Sequence, residues 1–176
     1  MISQEFDYDE VLQSPSFVIK HYRDGSIYRG EIREDTWKRH GRGVIVYLSQ
    51  RIYEGDWKND KRNGRGYERF LNGNYYNGEY LNGRPHGKGV YTWQNNEVYD
   101  GEWNNGMKEG YGVWKGPDGD SYIGEWKQSK ADGYGVHVWK NGKARFNWQV
   151  TNTKANGKHA YDTATVQICL KTVMFT

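Results

Sequence analysis

The sequence predicts an all-β protein: an elongated single-layer antiparallel β meander of 23-residue hairpin repeats, with degenerate capping segments at both ends. Three observations predict it. Gly-x-Gly recurs at Gly41/Gly43, Gly64/Gly66, Gly87/Gly89, Gly110/Gly112 and Gly133/Gly135, always 23 residues apart. A second signature, Tyr-x-Gly-[Glu/Asp], recurs at Tyr28, Tyr53, Tyr76, Tyr99 and Tyr122, and two signatures coupled at fixed spacing mark a repeat array. Between them the chain alternates with period two, Tyr99, Gly101 and Trp103 against Asp100 and Glu102, which is strand patterning.

The elements follow in order. Residues 1–16 form an acidic extension of charge −4, in which Phe6, Val11 and Leu12 are expected to cap the array. Residues 17–142 are the array itself. Phe17 to Tyr22, with the Asp24-Gly25 turn, reads as half a repeat without its glycines, Tyr22 falling in the register of Tyr47, Phe70 and Trp93. Strands are then expected near 28–32, 43–47, 53–57, 66–70, 76–80, 89–93, 99–103, 112–115, 122–126 and 135–139. The first hairpin carries two extra residues, around Glu34–Arg39. Asn59 to Asn63 is read as the turn inside the second repeat, and Asn72-Gly73, Asn95-Asn96 and Pro117-Asp118-Gly119 as turns between repeats. Residues 143–176 read as a degenerate copy that caps the array or binds a partner. Arg145 to Val150 would start it, Asn156-Gly157 would replace the glycine pair, and Val166, Ile168 and Leu170 would alternate in a last strand.

Composition narrows the class. Leu, Ile, Val and Phe supply only about 17% of the chain, but there are 8 Trp and 15 Tyr and the net charge is +3. Aromatic area therefore replaces an aliphatic core, and a disordered chain is excluded. The longest apolar run, Val44 to Leu48, is too short to span a bilayer as a helix. One cysteine, Cys169, permits no internal disulfide. With no positive or apolar leader at the N-terminus, an intracellular, cytoplasmic or cytoskeletal location is expected.

The glycine pairs read as structural: Gly41, Gly43, Gly64, Gly66, Gly87, Gly89, Gly110, Gly112, Gly133 and Gly135. Closing the second hairpin is expected to set Trp57 near Gly64 and Gly55 near Gly66, so that an indole lies flat where the opposing residue has no Cβ. A phosphate cradle would need a following helix, and no helical period follows. The carboxylates Glu31, Asp56, Glu79, Glu102 and Glu125 recur once per repeat. A catalytic pair needs two unlike environments, so they are read as an exposed ladder pairing with lysines and arginines. His40 and His86, ahead of two glycine pairs, stand about 20 Å apart, too far to share a metal. No catalytic residue, metal or cofactor is expected.

Two partner surfaces are expected. The rings of Trp57, Tyr80, Trp103 and Trp126, with Tyr91 and Trp93, should line one long apolar face that a protein partner or a second copy covers. Lys38, Arg39, Arg42, Lys58, Lys61, Arg62 and Arg65 crowd one edge, which reads either as a charged edge that blocks strand-to-strand aggregation or as a surface that would meet acidic lipid headgroups or steer an acidic protein. Nucleic acid is not expected, because no groove-reading element is present.

The pattern resembles the MORN repeat (membrane occupation and recognition nexus), whose consensus is close to Tyr-x-Gly-Glu-Trp-x-Asn-Gly-x-x-x-Gly-x-Gly. Residues 53–66 and 99–112 fit it best; Tyr76-Asn-Gly-Glu-Tyr and Tyr122-Ile-Gly-Glu-Trp also fit. The first copy departs, with Ile32 in the Trp position. The resemblance covers Tyr28 to about Gly142. It implies a non-catalytic interaction scaffold, such as a structural component of a cytoskeletal or ciliary axonemal assembly. A phosphoinositide or membrane-surface tether is the alternative, and a regulatory module of an enzyme a third reading.

Overall fold

The computed structural model describes residues 8–147, and the description that follows is of those residues. They form one sheet of twelve antiparallel strands in strict sequence order. The strands are β1 (Phe17–His21), β2 (Ile27–Arg33), β3 (Lys38–Val46), β4 (Ile52–Lys58), β5 (Lys61–Arg69), β6 (Tyr75–Leu81), β7 (Arg84–Thr92), β8 (Val98–Asn104), β9 (Met107–Lys115), β10 (Ser121–Lys127), β11 (Lys130–Val138) and β12 (Ala144–Asn147). One short helix, α1 (Tyr8–Leu12), precedes them. The single-layer meander expected from the repeats is therefore present. Phe6, the continuation from Trp148 onward, Cys169 and the alternating Val166, Ile168 and Leu170 lie outside the described residues.

The second strand of each hairpin begins earlier than expected. Asn59 and Asp60 both have positive φ, 51° and 66°, and alone connect β4 to β5. That is a two-residue turn of the type whose twist matches a hairpin, not a turn running to Asn63. Asn82-Gly83 and Asn105-Gly106 repeat it. In the first hairpin Arg33 faces Lys38, so four residues make the tip, and the two extra residues sit there. Between repeats, tight loops end on a residue of positive φ, such as Gln50, Gly73, Asn96 and Gly119.

The glycine pair then lies inside the strand. Gly55 faces Gly66, but Trp57 faces Arg62 rather than Gly64, and the register shifts between these two pairs. The same irregularity follows Gly30, Gly78, Gly101 and Gly124. Trp57 instead faces Gly41 of the preceding repeat. The ring that fills the space of the missing Cβ atoms is tyrosine. A Cβ on Gly66 would lie 2.5 Å from the Tyr53 hydroxyl, and one on Gly55 2.9 Å from it. Tyr53 thus lies flat across both glycines of its own hairpin.

Packing sorts the two faces. Tyr28, Tyr53, Tyr76 and Tyr99 are fully buried, and with Trp57, Tyr80, Trp103, Tyr122 and Trp126 they form one cluster along one face. The opposite face has a small cluster at its N-terminal end only, where Val11 of α1 packs with Val44 against Phe17, Val46 and Ile52. Of the expected N-terminal caps, Val11 is buried and Leu12 is exposed.

Gly66→Ala is expected to destabilise the protein by about 1–3 kcal/mol, because the tyrosine ring has nowhere to move. Leu71→Ala, on an exposed loop, should stay within about 0.5 kcal/mol of the parent. Urea midpoints of the two variants measure the contrast.

Candidate partner-binding surfaces

The aromatic face is closed. Successive rings meet edge to face in an unbroken series: Tyr28, Trp57, Tyr53, Tyr80, Tyr76, Trp103, Tyr99, Trp126 and Tyr122. Their centroids are 5.1–5.6 Å apart and their planes cross at 80–89°. Every second contact joins one repeat to the next. Each indole of Trp57, Trp103 and Trp126 donates its N–H to the carbonyl of Gly43, Gly89 or Gly112, at 3.0, 2.8 and 3.1 Å. The tyrosine hydroxyls are satisfied too: Tyr53 donates to the Asp56 carbonyl at 2.9 Å, Tyr76 to that of Glu79 and Tyr99 to that of Glu102, both at 3.0 Å.

These contacts correct the expected apolar partner face. Trp57, Tyr80, Trp103 and Trp126 are only 4, 3, 8 and 9% exposed, because the tyrosines of two repeats enclose each ring and, at Trp57, Tyr80 and Trp126, a cationic side chain from the preceding hairpin covers it. Arg39 lies over Trp57 at 4.2 Å, Arg62 over Tyr80 at 5.1 Å and Lys108 over Trp126 at 4.5 Å, a favourable cation–π geometry. Tyr91 and Trp93 are half-buried and pack against this cluster.

The basic edge is divided for the same reason. Arg39 is held by the Asp60 carboxylate at 3.1 Å and by the Asp60 carbonyl at 3.0 Å. Arg62 pairs with the buried Glu68, which also meets Arg51 and accepts the Tyr80 hydroxyl at 3.0 Å. Arg39 and Arg62 therefore belong to the aromatic face. Lys38, Lys58 and Lys61 remain exposed at the hairpin tips, on the same edge as the exposed Trp37, Leu81 and Met107. Burial alone would raise the Asp60 pKa, but the Arg39 backbone and side-chain donors outweigh it and hold the carboxyl below its usual range. Burial among rings pushes Lys108 down.

Arg42 and Arg65 project from the polar face, together with the carboxylate column. Those carboxylates do not form a ladder with lysines and arginines. Glu31 accepts the backbone N–H of Arg42 at 2.6 Å, Asp56 that of Arg65 at 2.9 Å, Glu79 that of Lys88 at 3.2 Å and Glu125 that of Tyr134 at 3.0 Å. Each acid satisfies the N–H that follows the first glycine of its pair. That glycine has positive φ at Gly41, Gly64, Gly87, Gly110 and Gly133, so the column is a structural clamp on the register shift. His40 and His86 are half-buried rather than solvated. Among the described residues no three metal-ligating side chains gather.

The polar face also carries a groove of about 790 Å³ crossing β3 to β8. Arg42, Arg65 and Lys88 line it above the glycine pairs, alternating with Glu54, Asp56, Glu79 and Asp100 and with Tyr67, Asn77 and Val90. Sequence reading missed this groove and the tyrosine column's role. The signal for both was present: the residue between the two glycines of each pair faces away from the ring that covers them.

The family model of the MORN repeat matches residues 53–75, 76–98, 99–121 and 122–144. The chain belongs to the MORN-repeat family. The first copy, with its four-residue tip and Ile32, lies outside the matched MORN stretch. No curated protein matches the chain. Among solved structures it is similar to the TCP domain of SAS-4 from Drosophila melanogaster, solved in complex with a proline-rich motif of Ana2. Identity is 16%, coverage 76% of this chain and 90% of that one, and the TM-score 0.37. The TCP10 domain of Danio rerio CPAP gives 12% identity, 76% and 73% coverage and a TM-score of 0.36. Virginiamycin B lyase from Staphylococcus aureus gives 14%, 80% and 44%, and 0.20. At these TM-scores the likenesses carry no argument about function.

Burial raises the pKa of Tyr28, Tyr53, Tyr76, Tyr80 and Tyr99 well above the ordinary tyrosine value. The folded state thus holds these protons more tightly than the unfolded chain. Stability should be full below about pH 10 and fall as pH rises above it. In an alkaline titration, the phenolate absorbance of the ladder is expected to appear together with the loss of near-ultraviolet circular dichroism, not before it.

Proposed function

We propose that this chain is a non-catalytic protein–protein interaction scaffold, a structural component of a cytoskeletal assembly, whose partner surface is the polar face. The observation that carries the reading is the division of the sheet. The aromatic face is consumed by its own ring ladder, while the opposite face keeps a groove across six strands lined by charged, amide and tyrosine side chains. A surface of that kind offers many anchoring points over a long stretch and no enclosed reaction site, which suits binding to an extended partner. The cytoskeletal setting rests on the resemblance to MORN-repeat proteins that serve as structural components of cytoskeletal assemblies.

A membrane-surface reading has one observation in its favour. The hairpin tips place Lys58 and Lys61 on the same edge as the exposed Trp37, Leu81 and Met107, basic and apolar side chains that would meet anionic headgroups together. No helix among the described residues is long and apolar enough to cross a membrane.

A photo-crosslinking residue replacing the exposed Asn77 in the groove, compared with one replacing Leu71 on the loop edge, separates the readings. The scaffold reading expects the Asn77 position to capture a protein of the detergent-resistant cytoskeletal fraction, and the Leu71 position to lose it. If instead the chain co-sediments with phosphatidylinositol-phosphate vesicles, Lys58→Ala/Lys61→Ala abolishes this, and Asn77 captures nothing, the membrane reading replaces it.

A further inference from the structure

The chain itself occupies the first position on its polar face. Glu10 of α1 reaches the Arg42 guanidinium at 3.0 Å, and the next residue, Val11, is 3% exposed against Val44. Phe17, Val46 and Ile52 complete the apolar contact. A carboxylate and an aliphatic side chain at adjacent positions thus meet a cation and an apolar surface built by three strands.

The repeat reproduces the cation and part of that apolar surface farther along, with Arg69 and Thr92 in the place of Val46. One repeat on, Arg42, Val44 and Ile52 become Arg65, Tyr67 and Tyr75; two repeats on, they become Lys88, Val90 and Val98. Strand spacing puts consecutive positions about 10 Å apart. Arg65, Lys88 and Tyr75 are exposed and Tyr67, Val90 and Val98 are half-buried, whereas Val44, beneath Val11, is buried. Acids flank these cations as they flank Arg42: Asp56 and Glu79 accept the backbone N–H groups of Arg65 and Lys88, as Glu31 accepts that of Arg42, where Glu10 still pairs with the guanidinium. The exposed Asp100 stands beside Val90 at the last of these positions, and the series stops one repeat later, where Tyr111 takes the place of the cation.

We propose that the groove over β5 to β8 binds a short acidic segment of a partner protein, one in which a carboxylate directly precedes an aliphatic residue, as Glu10-Val11 does at β3. Arg65 and Lys88 receive the carboxylates, and the Tyr67/Tyr75 and Val90/Val98 surfaces receive the aliphatic side chains. This rests on the scaffold reading and names the chemistry of its partner. Charge guides the encounter, so binding weakens as salt rises.

The probe is a fluorescein-labelled peptide of residues 8–14, Tyr-Asp-Glu-Val-Leu-Gln-Ser, added to the full chain and followed by anisotropy. Binding is expected to weaken at least tenfold in Arg65→Glu/Lys88→Glu, whose exposed positions should leave thermal unfolding unchanged, and at least tenfold with a peptide carrying Glu10→Lys. Arg42→Glu should weaken it less than threefold. Absence of binding to the parent chain overturns the proposal. So does binding that survives Arg65→Glu/Lys88→Glu but is lost with Arg42→Glu, which would show exchange at the resident position alone. If the peptide fails while the Asn77 crosslinker still captures a protein, the acidic-segment proposal falls and the scaffold reading stands; if both fail, both fall.

Discussion

A tyrosine ring lying flat over a pair of facing glycines is the interaction on which this structure depends. The Gly55–Gly66 pair leaves room for Tyr53 on one face of the sheet; the ring in turn forbids a side chain at Gly66, and the facing backbone of Arg65 and Gly66 together with the Tyr53 hydroxyl forbids one at Gly55. Buried flat, the ring presents its edges sideways, where the aromatics of the neighbouring strands meet it at near right angles. A single sheet, with no second layer to pack on, thereby builds a core within one of its own faces. The requirement for two packed layers is met by side chains large enough to cover one another.

Much else follows from that arrangement. The positive φ of the first glycine in each pair accompanies the register shift, and the carboxylate column clamps it from the other side. Arginine or lysine lids complete the burial on the aromatic face, so cations that a sequence count places on a basic edge are already engaged. The ladder ends where the pattern ends. Arg145 faces His137 in the register where Tyr122 faces Trp114, and a charged side chain there cannot extend the ring series. With the aromatic face sealed, the side chains that vary from repeat to repeat are those of the polar face, while the tyrosines and glycines do not change.

The fold was legible because period two and the 23-residue step report backbone geometry directly. Strand order, between-repeat turns and the enlarged first tip could all be read that way. Turn length was not legible at Asn59 to Asn63, since every residue in that stretch tolerates a turn and only the register shift reveals that three of them are strand. The exposure of the aromatic rings was misjudged for a related reason. Alternation tells which side of a sheet Trp57 faces, but its burial is decided by Tyr28 and Arg39, 29 and 18 positions earlier. The glycine signature was correctly taken as making room for a ring, and the ring was taken as the wrong aromatic, because the consensus places tyrosine and tryptophan equally close to the pair.

The central claim is that repeats are joined by ring-to-ring contact across hairpins, beyond the backbone ladder and simple area burial. A double-mutant cycle on Tyr99 and Trp126, each replaced by Leu singly and together, measures this at a contact of 5.1 Å between repeats. The structure predicts a coupling of about 0.5–1.5 kcal/mol in unfolding free energy. Losses that simply add, with no coupling beyond experimental error, would contradict it and leave backbone pairing as what holds the repeats in line.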